Sequence, residues 1–163
     1  MLKKLLFFSS FCCFLITSVA SASDVSLKYD NETKGLVRKM KVYKDPSWVS
    51  KVITSESKEF YFLSPKSMFE FYFNPKKWPI TNVENRNNIK EIIVTDYFTL
   101  KPIRAREAYY VYGSNKVSLA GDDLPAFKLY SHAQEFAEKN NGKRIFKFNE
   151  VKKALIDLLN GNI

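Results

Sequence analysis

Ser64-Pro65-Lys66-Ser67-Met68-Phe69-Glu70-Phe71-Tyr72-Phe73-Asn74-Pro75 is the stretch that decides how this chain folds. Serine is a preferred N-cap because its hydroxyl accepts an otherwise orphaned amide. Proline suits the first helical position, where no N–H is needed. Met68, Phe69, Phe71 and Tyr72 make an apolar face, and Asn74-Pro75 ends the helix because proline cannot extend the hydrogen-bond ladder. Just upstream, Trp48–Ile53 and Glu59–Leu63 read as two strands joined by the polar loop Thr54–Lys58. Downstream, Lys76–Lys90 is a polar connection holding Pro79, and it leads to the apolar strand Ile92-Ile93-Val94.

The second half repeats this order. Ala108–Tyr112 and Pro125–Leu129 read as strands around the loop Gly113–Asp123. Ser131 is placed to cap a helix carrying Ala133, Phe136 and Ala137, which Gly142 stops. Arg144–Phe148 reads as a strand. Asn149 is then placed to cap a last helix, about Glu150 to Leu159, whose apolar residues recur at helical spacing until Gly161. The expected class is therefore α+β, with two similar ββαβ modules sharing a core and a C-terminal helix. Module one spans 36–100 and module two 101–163, behind a polar, flexible lead-in at 23–35. An internal duplication fits this order. Phe62, Met68 and Phe71 align with Phe127, Ala133 and Phe136 at a spacing of 65, but the two expected caps, Ser64 and Ser131, align at 67.

Further out, residues 1–22 read as a cleavable signal peptide. Lys3 and Lys4 precede an apolar run, and Ala20-Ser21-Ala22 gives the small-x-small pattern for cleavage before Ser23. The run is shorter than the roughly 20 residues a membrane span requires. Cys12 and Cys13 sit within it and are followed by Phe14 and Leu15, which does not suit lipid attachment. The expected mature protein is thus periplasmic or secreted, with no integral membrane segment and no thiol for a disulfide or a metal. It must fold on its apolar core alone, which a domain of this size can do. The formal charge is +9. In an exported protein that excess implies solubility, or attraction to acidic partners and anionic surfaces, rather than nucleic acid.

Residues able to carry chemistry are few. His132 is the single histidine and falls at the start of a helix, where a solvent-exposed first-turn residue is expected. Asp122-Asp123 reads as a solvated turn, and Asp96 as a turn or helix cap. No nucleophile elbow is present, so no catalytic residue is assigned and no enzyme is expected. No His/Cys spacing suits zinc and no acidic loop suits calcium. Two thioethers remain beyond the signal peptide. Met68 lies among aromatics and reads as core. Met40, between Lys39 and Lys41, is either a residue of an entry strand or a soft ligand for Cu(I).

The ordered set Ala108-Tyr109-Tyr110-Val111-Tyr112-Gly113-Ser114, Gly121, Leu124-Pro125-Ala126-Phe127, Ala133, Phe136, Asn141-Gly142-Lys143 and Phe146–Glu150 resembles the NosL family of nitrous oxide reductase accessory proteins. So do Met40, Tyr43-Lys44-Asp45-Pro46-Ser47-Trp48 and the helix Ser67–Phe73 in the first half. The resemblance implies a fold of two ββαβ modules. It also implies a periplasmic copper chaperone that binds Cu(I) and, with a protein partner, supplies a copper enzyme such as nitrous oxide reductase. Family members are lipoproteins with a Cys-rich stretch ending in Gly-Met and a Met-Gly in the second-half loop. This chain departs from that pattern. Val37-Arg38-Lys39 stands where Cys and Gly belong, Ala120 stands at the loop methionine, and only Met40 of the implied metal ligands is kept. The expectation is weak Cu(I) binding through Met40, or a metal-free binding or assembly protein with the same fold.

Overall fold

Hydrogen bonding along Ser50–Thr54 (β1) organises the first half. In this computed structural model, which describes residues 25–162, β1 pairs antiparallel with Glu59–Phe62 (β2) on one side and Ile89–Thr95 (β3) on the other. Pro102–Arg104 (β4) adds to the far edge of β3, giving the order β2-β1-β3-β4. Pro65–Phe73 (α1) follows β2 directly, capped by Ser64 as expected, with Pro65 in its first turn. The signal peptide, its cleavage at Ala22/Ser23, and Cys12 and Cys13 lie outside the described residues.

Tyr109–Tyr112 (β5) plays the same central part in the second half. It pairs antiparallel with Ala126–Phe127 (β6) and with Arg144–Lys147 (β7), and Tyr130–Lys139 (α2) follows β6. Lys153–Leu159 (α3) closes the fold. The fold is thus α+β, with two sheet modules that each carry a helix, plus a C-terminal helix.

The modules align by their sheet register. Phe62 lies opposite Ser50, the first residue of β1, and Phe127 lies opposite Tyr109, the first residue of β5. Each helix begins three residues later, at Pro65 and Tyr130. The spacing of 65 is therefore the structural one. The alignment of Ser64 with Ser131 is corrected: the residue equivalent to Ser64 is Leu129, which is the N-cap of α2 and offers no side-chain hydrogen bond. Ser131 lies inside the helix instead. The modules differ in where they carry extra chain. In the first it is Asn74–Asn88, between helix and return strand; in the second it is Gly113–Pro125, inside the hairpin.

Several boundaries also differ from expectation. Pro46–Trp48 is a 3-10 turn, so β1 starts later than Trp48. The long connection ends sooner, because β3 already begins at Ile89. Strand β6 is only two residues long: Pro125 has no N–H, and Leu129 is taken by the helix cap. Phe148–Glu150 is a further 3-10 turn, so Lys152 rather than Asn149 precedes the last helix. Strand β4, with a proline at its first position, carried no pattern long enough to be read.

The main core lies between the sheets. Phe62, Met68, Phe69 and Phe71 from the first module meet Tyr110, Phe146 and Phe148 from the second, and Ile156 of α3 joins them. The ring of Phe69 stands 5.1 Å from Tyr110 and 5.0 Å from Phe148. The sheets also touch directly, through a parallel bridge between Asp96 and Ala126. A second cluster of Val111, Phe127, Ala133 and Phe136 fills the space under α2. A third, Val42, Val49 and Leu63, sits beneath the entry segment, with Leu27, Tyr29 and Ala120 packed on it.

Candidate functional site

The N-terminus of α1 is where the two halves meet in polar contact. Ser64 caps the helix by accepting from the Ser67 amide at 3.0 Å, and its hydroxyl donates to Asp122 Oδ2 at 2.7 Å. Ser67 Oγ donates to the same oxygen. Asp122 Oδ1 accepts from Lys66 Nζ at 3.1 Å and from Arg38 Nη2 at 2.9 Å. Lys66 and Asp122 each have side chains only 3% exposed. Such a buried acid persists because every lone pair is met and the helix N-terminus favours negative charge. Burial alone would raise the Asp122 pKa. Hydrogen bonds from Arg38, Ser67 and Ser64, with the charge of Lys66, outweigh it and hold the carboxyl below its ordinary value. The guanidinium of Arg38 is correspondingly held more firmly protonated, chiefly by its hydrogen bond to Asp122.

Asp122 reaches this position because its loop turns sharply. Ser118 Oγ accepts from the amides of Ala120 and Asp122, both at 3.2 Å, and Gly121 takes a left-handed φ of 73° that suits a residue without Cβ. The reading of Asp122-Asp123 as a solvated turn is therefore corrected. Both are buried, since tertiary cations and amides replace the water a turn would offer. Asp123 Oδ2 accepts from the Gly113 amide at 2.7 Å, while its Oδ1 is buried without a partner. Burial pushes its pKa up, only partly offset by the amides of Gly113 and Leu124.

The same loop is clasped to the entry segment. The Leu119 amide donates to Asp45 Oδ2 at 2.7 Å, and Arg38 reaches Asp122 from the turn just before Met40. The two regions the family resemblance singled out, around Met40 and around Ala120, thus form one face. Met40 is 37% exposed on it. Its carbonyl, not its sulfur, is engaged, by the Gly35 amide at 2.9 Å. Tyr43, Val117 and Leu119 are also exposed there, with Lys39, Lys44 and Lys116 around them. Ala120 turns inward onto the cluster beneath.

As a metal site this face fits poorly. Among the described residues no group of three or more His, Cys, Asp or Glu could hold an ion. Asp122 is spent on Arg38 and Lys66, and Asp45 on Ser47 and the Leu119 amide. The one thioether stands between two lysines. Met68, read as core, is fully buried.

The other candidates lie elsewhere. His132 is not the free surface residue expected. It stacks on Phe98 with ring centroids 4.0 Å apart, and its Nδ1 is buried with no hydrogen-bond partner. Among the described residues no carboxylate is hydrogen-bonded to its Nδ1, as a general base would require. Asp96 is the turn cap expected, accepting from the Phe98 amide at 3.0 Å. Sequence reasoning missed Arg38, Lys66 and Ser67 as partners of Asp122. No local pattern could have found them, because the pairs span 84, 56 and 55 residues.

Comparison with known proteins agrees with this architecture. No curated protein matches the chain. A solved structure, the copper chaperone NosL from Shewanella denitrificans, superposes with a TM-score of 0.69 at 22% identity, over 79% of this chain and 96% of that one. At that identity the likeness speaks for the fold. The model of the NosL family matches residues 26–156, which span both sheets, both module helices and the clasped face, and on that match the chain belongs to the NosL family.

Proposed function

We propose that this protein is a periplasmic accessory protein of the NosL type that works by binding a protein partner and carries no tight copper site of its own. The observation that carries this reading is the hydrogen-bonded pair of Arg38 and buried Asp122. Family resemblance puts soft donors at Val37-Arg38-Lys39 and at Ala120. Here the first stretch supplies a guanidinium and the second a methyl group, and both are committed to holding the loop. Cu(I) of useful affinity wants two or three soft donors. Family membership supports a role without catalysis. The exposed Met40, Tyr43, Val117 and Leu119 with surrounding lysines suit contact with an acidic partner.

A second reading rests on Met40 itself, which is 37% exposed. In that reading it offers Cu(I), as cargo, a single donor that a partner's ligands complete. Competition for Cu(I) against a chelator under reducing conditions separates the two. The metal-free reading expects wild type to retain no copper. Retention by wild type and by Met68→Ala, with loss in Met40→Ala, would establish the copper reading instead. A neutral thioether loses no proton on binding, so such retention would vary little with pH.

A further inference from the structure

A groove of about 750 Å³ lies between β7 and α3. Its floor is apolar, formed by Phe146, Leu155 and Leu158, the last of them 47% exposed. Its rim is cationic. Arg144 and Phe146 share one face of β7, and the guanidinium lies 4.7 Å from the ring centroid. That stacking uses the face of the guanidinium and leaves its N–H edge for an anion. Lys143 lies over Gly113, where an added Cβ would come within 2.9 Å of the lysine stem; this close approach seats the lysine at the groove mouth. Beyond the other end of β7, Lys152 donates to the carbonyl of Asn149 at 2.7 Å. Among the described residues none of these three cations is paired with a carboxylate. Glu150, an acid in the wall, is engaged by the amide of Lys147 at 2.7 Å.

The geometry points to a binding groove for an acidic segment of a partner protein, in which two carboxylate side chains flank two apolar ones. The cations stand at the two ends of an apolar floor. Lys143 and Arg144 enter the groove at the start of β7, and Lys152 enters it beyond the 3-10 turn Phe148–Glu150, so an extended peptide can set one acid against each group of cations with apolar side chains between. A second copy of this chain is a poor occupant, because basic residues outnumber acidic ones in it even without Lys3 and Lys4. The groove uses neither Met40 nor Asp122, so it stands apart from the copper question.

The test is calorimetric titration of the purified protein with the capped peptide Gly-Ser-Glu-Leu-Phe-Glu-Ser-Gly. Saturable one-to-one binding is expected, weakened at least tenfold by Arg144→Glu or Lys152→Glu and several-fold by Leu158→Ser. Lys128→Glu, an exposed site outside the groove, is expected to leave binding unchanged. Arg144→Gln and Lys152→Gln serve if either reversal disturbs the circular dichroism spectrum. The proposal is overturned if the peptide does not bind at millimolar concentration, or if groove and control variants weaken it equally. Equal binding of a peptide with Ser-Ser in place of Leu-Phe overturns it too. So does a groove-dependent response to a single-stranded oligonucleotide or to phosphatidylglycerol vesicles where the peptide gives none.

Discussion

Asp122 and Asp123 are neighbours in sequence with opposite electrostatic fates. Asp122 is ringed by donors and cations, so Asp122→Asn leaves buried Lys66 with only the more distant Glu70, at 3.9 Å, as a counter-charge. Breaking such a pair costs about 3 kcal/mol, read as a lower denaturant midpoint. Because the folded-state pKa of Asp122 is lowered, its stabilisation is full above the ordinary carboxylate value of about 3.9. It is lost as the pH falls below that, through the lowered value. Acid unfolding in the range below pH 4 should therefore be shallower in Asp122→Asn than in wild type. Asp123 has the reverse sign, since burial raises its folded-state pKa. Its favourable contribution is present below about pH 3.9 and lost as the pH rises through the raised value. Asp123→Asn is thus expected to stabilise at pH 7 by about 1 kcal/mol, the scale of relieving one poorly satisfied buried polar group. The gain should vanish near pH 3.5, as thermal melts at the two pH values would show.

Between the two module helices the difference lies at the cap. Ser64 closes α1 by accepting an amide proton, whereas Leu129 stands at the same place before α2 with no side-chain hydrogen bond. Leu129 already has the extended backbone of an N-cap, φ −107° and ψ 137°, and its side chain is exposed. Leu129→Ser is therefore expected to raise stability by about 0.5–1 kcal/mol. Ser131→Ala, inside the first turn, should change stability by less than about 0.5 kcal/mol. Chemical denaturation of both variants checks the register as well as the cap. Were Ser131→Ala the costly change, the 65-residue correspondence drawn from Phe62 and Phe127 would fail.

For the whole molecule, the decisive feature is that the largest core cluster belongs to neither module. Phe69 touches Tyr110 and Phe148, and Lys66 of α1 donates to Asn160 just beyond α3. Separating the modules would expose those rings to water. Unfolding is therefore expected as one cooperative transition. The fluorescence of Trp48, 3% exposed and 5.5 Å from Tyr97, should follow the same curve as far-ultraviolet circular dichroism. Two separated transitions would mean that the shared core does not couple the halves.

Much of this was legible in the chain. Ser64-Pro65 and Asn74-Pro75 bracket α1 because cap and stop chemistry act within a single turn of backbone. The aromatic and β-branched runs marked the strands because side-chain alternation is a local property. Phe62, Met68 and Phe71 revealed the second module through Phe127, Ala133 and Phe136, since equivalent core positions need similar apolar residues. The cap of α2 was misplaced because Ser131 looks like Ser64, and only the pairing of β5 with β6 sets the position at Leu129. Family membership followed from the ordered residues of both halves, spread along the chain. What the tertiary structure alone decided is the polar centre. Arg38, Lys66, Ser64 and Ser67 converge on Asp122 across more than 50 residues of intervening chain. An aspartate in a turn reads as solvated until the fold replaces its water with fixed donors, and no spacing along the sequence encodes that replacement.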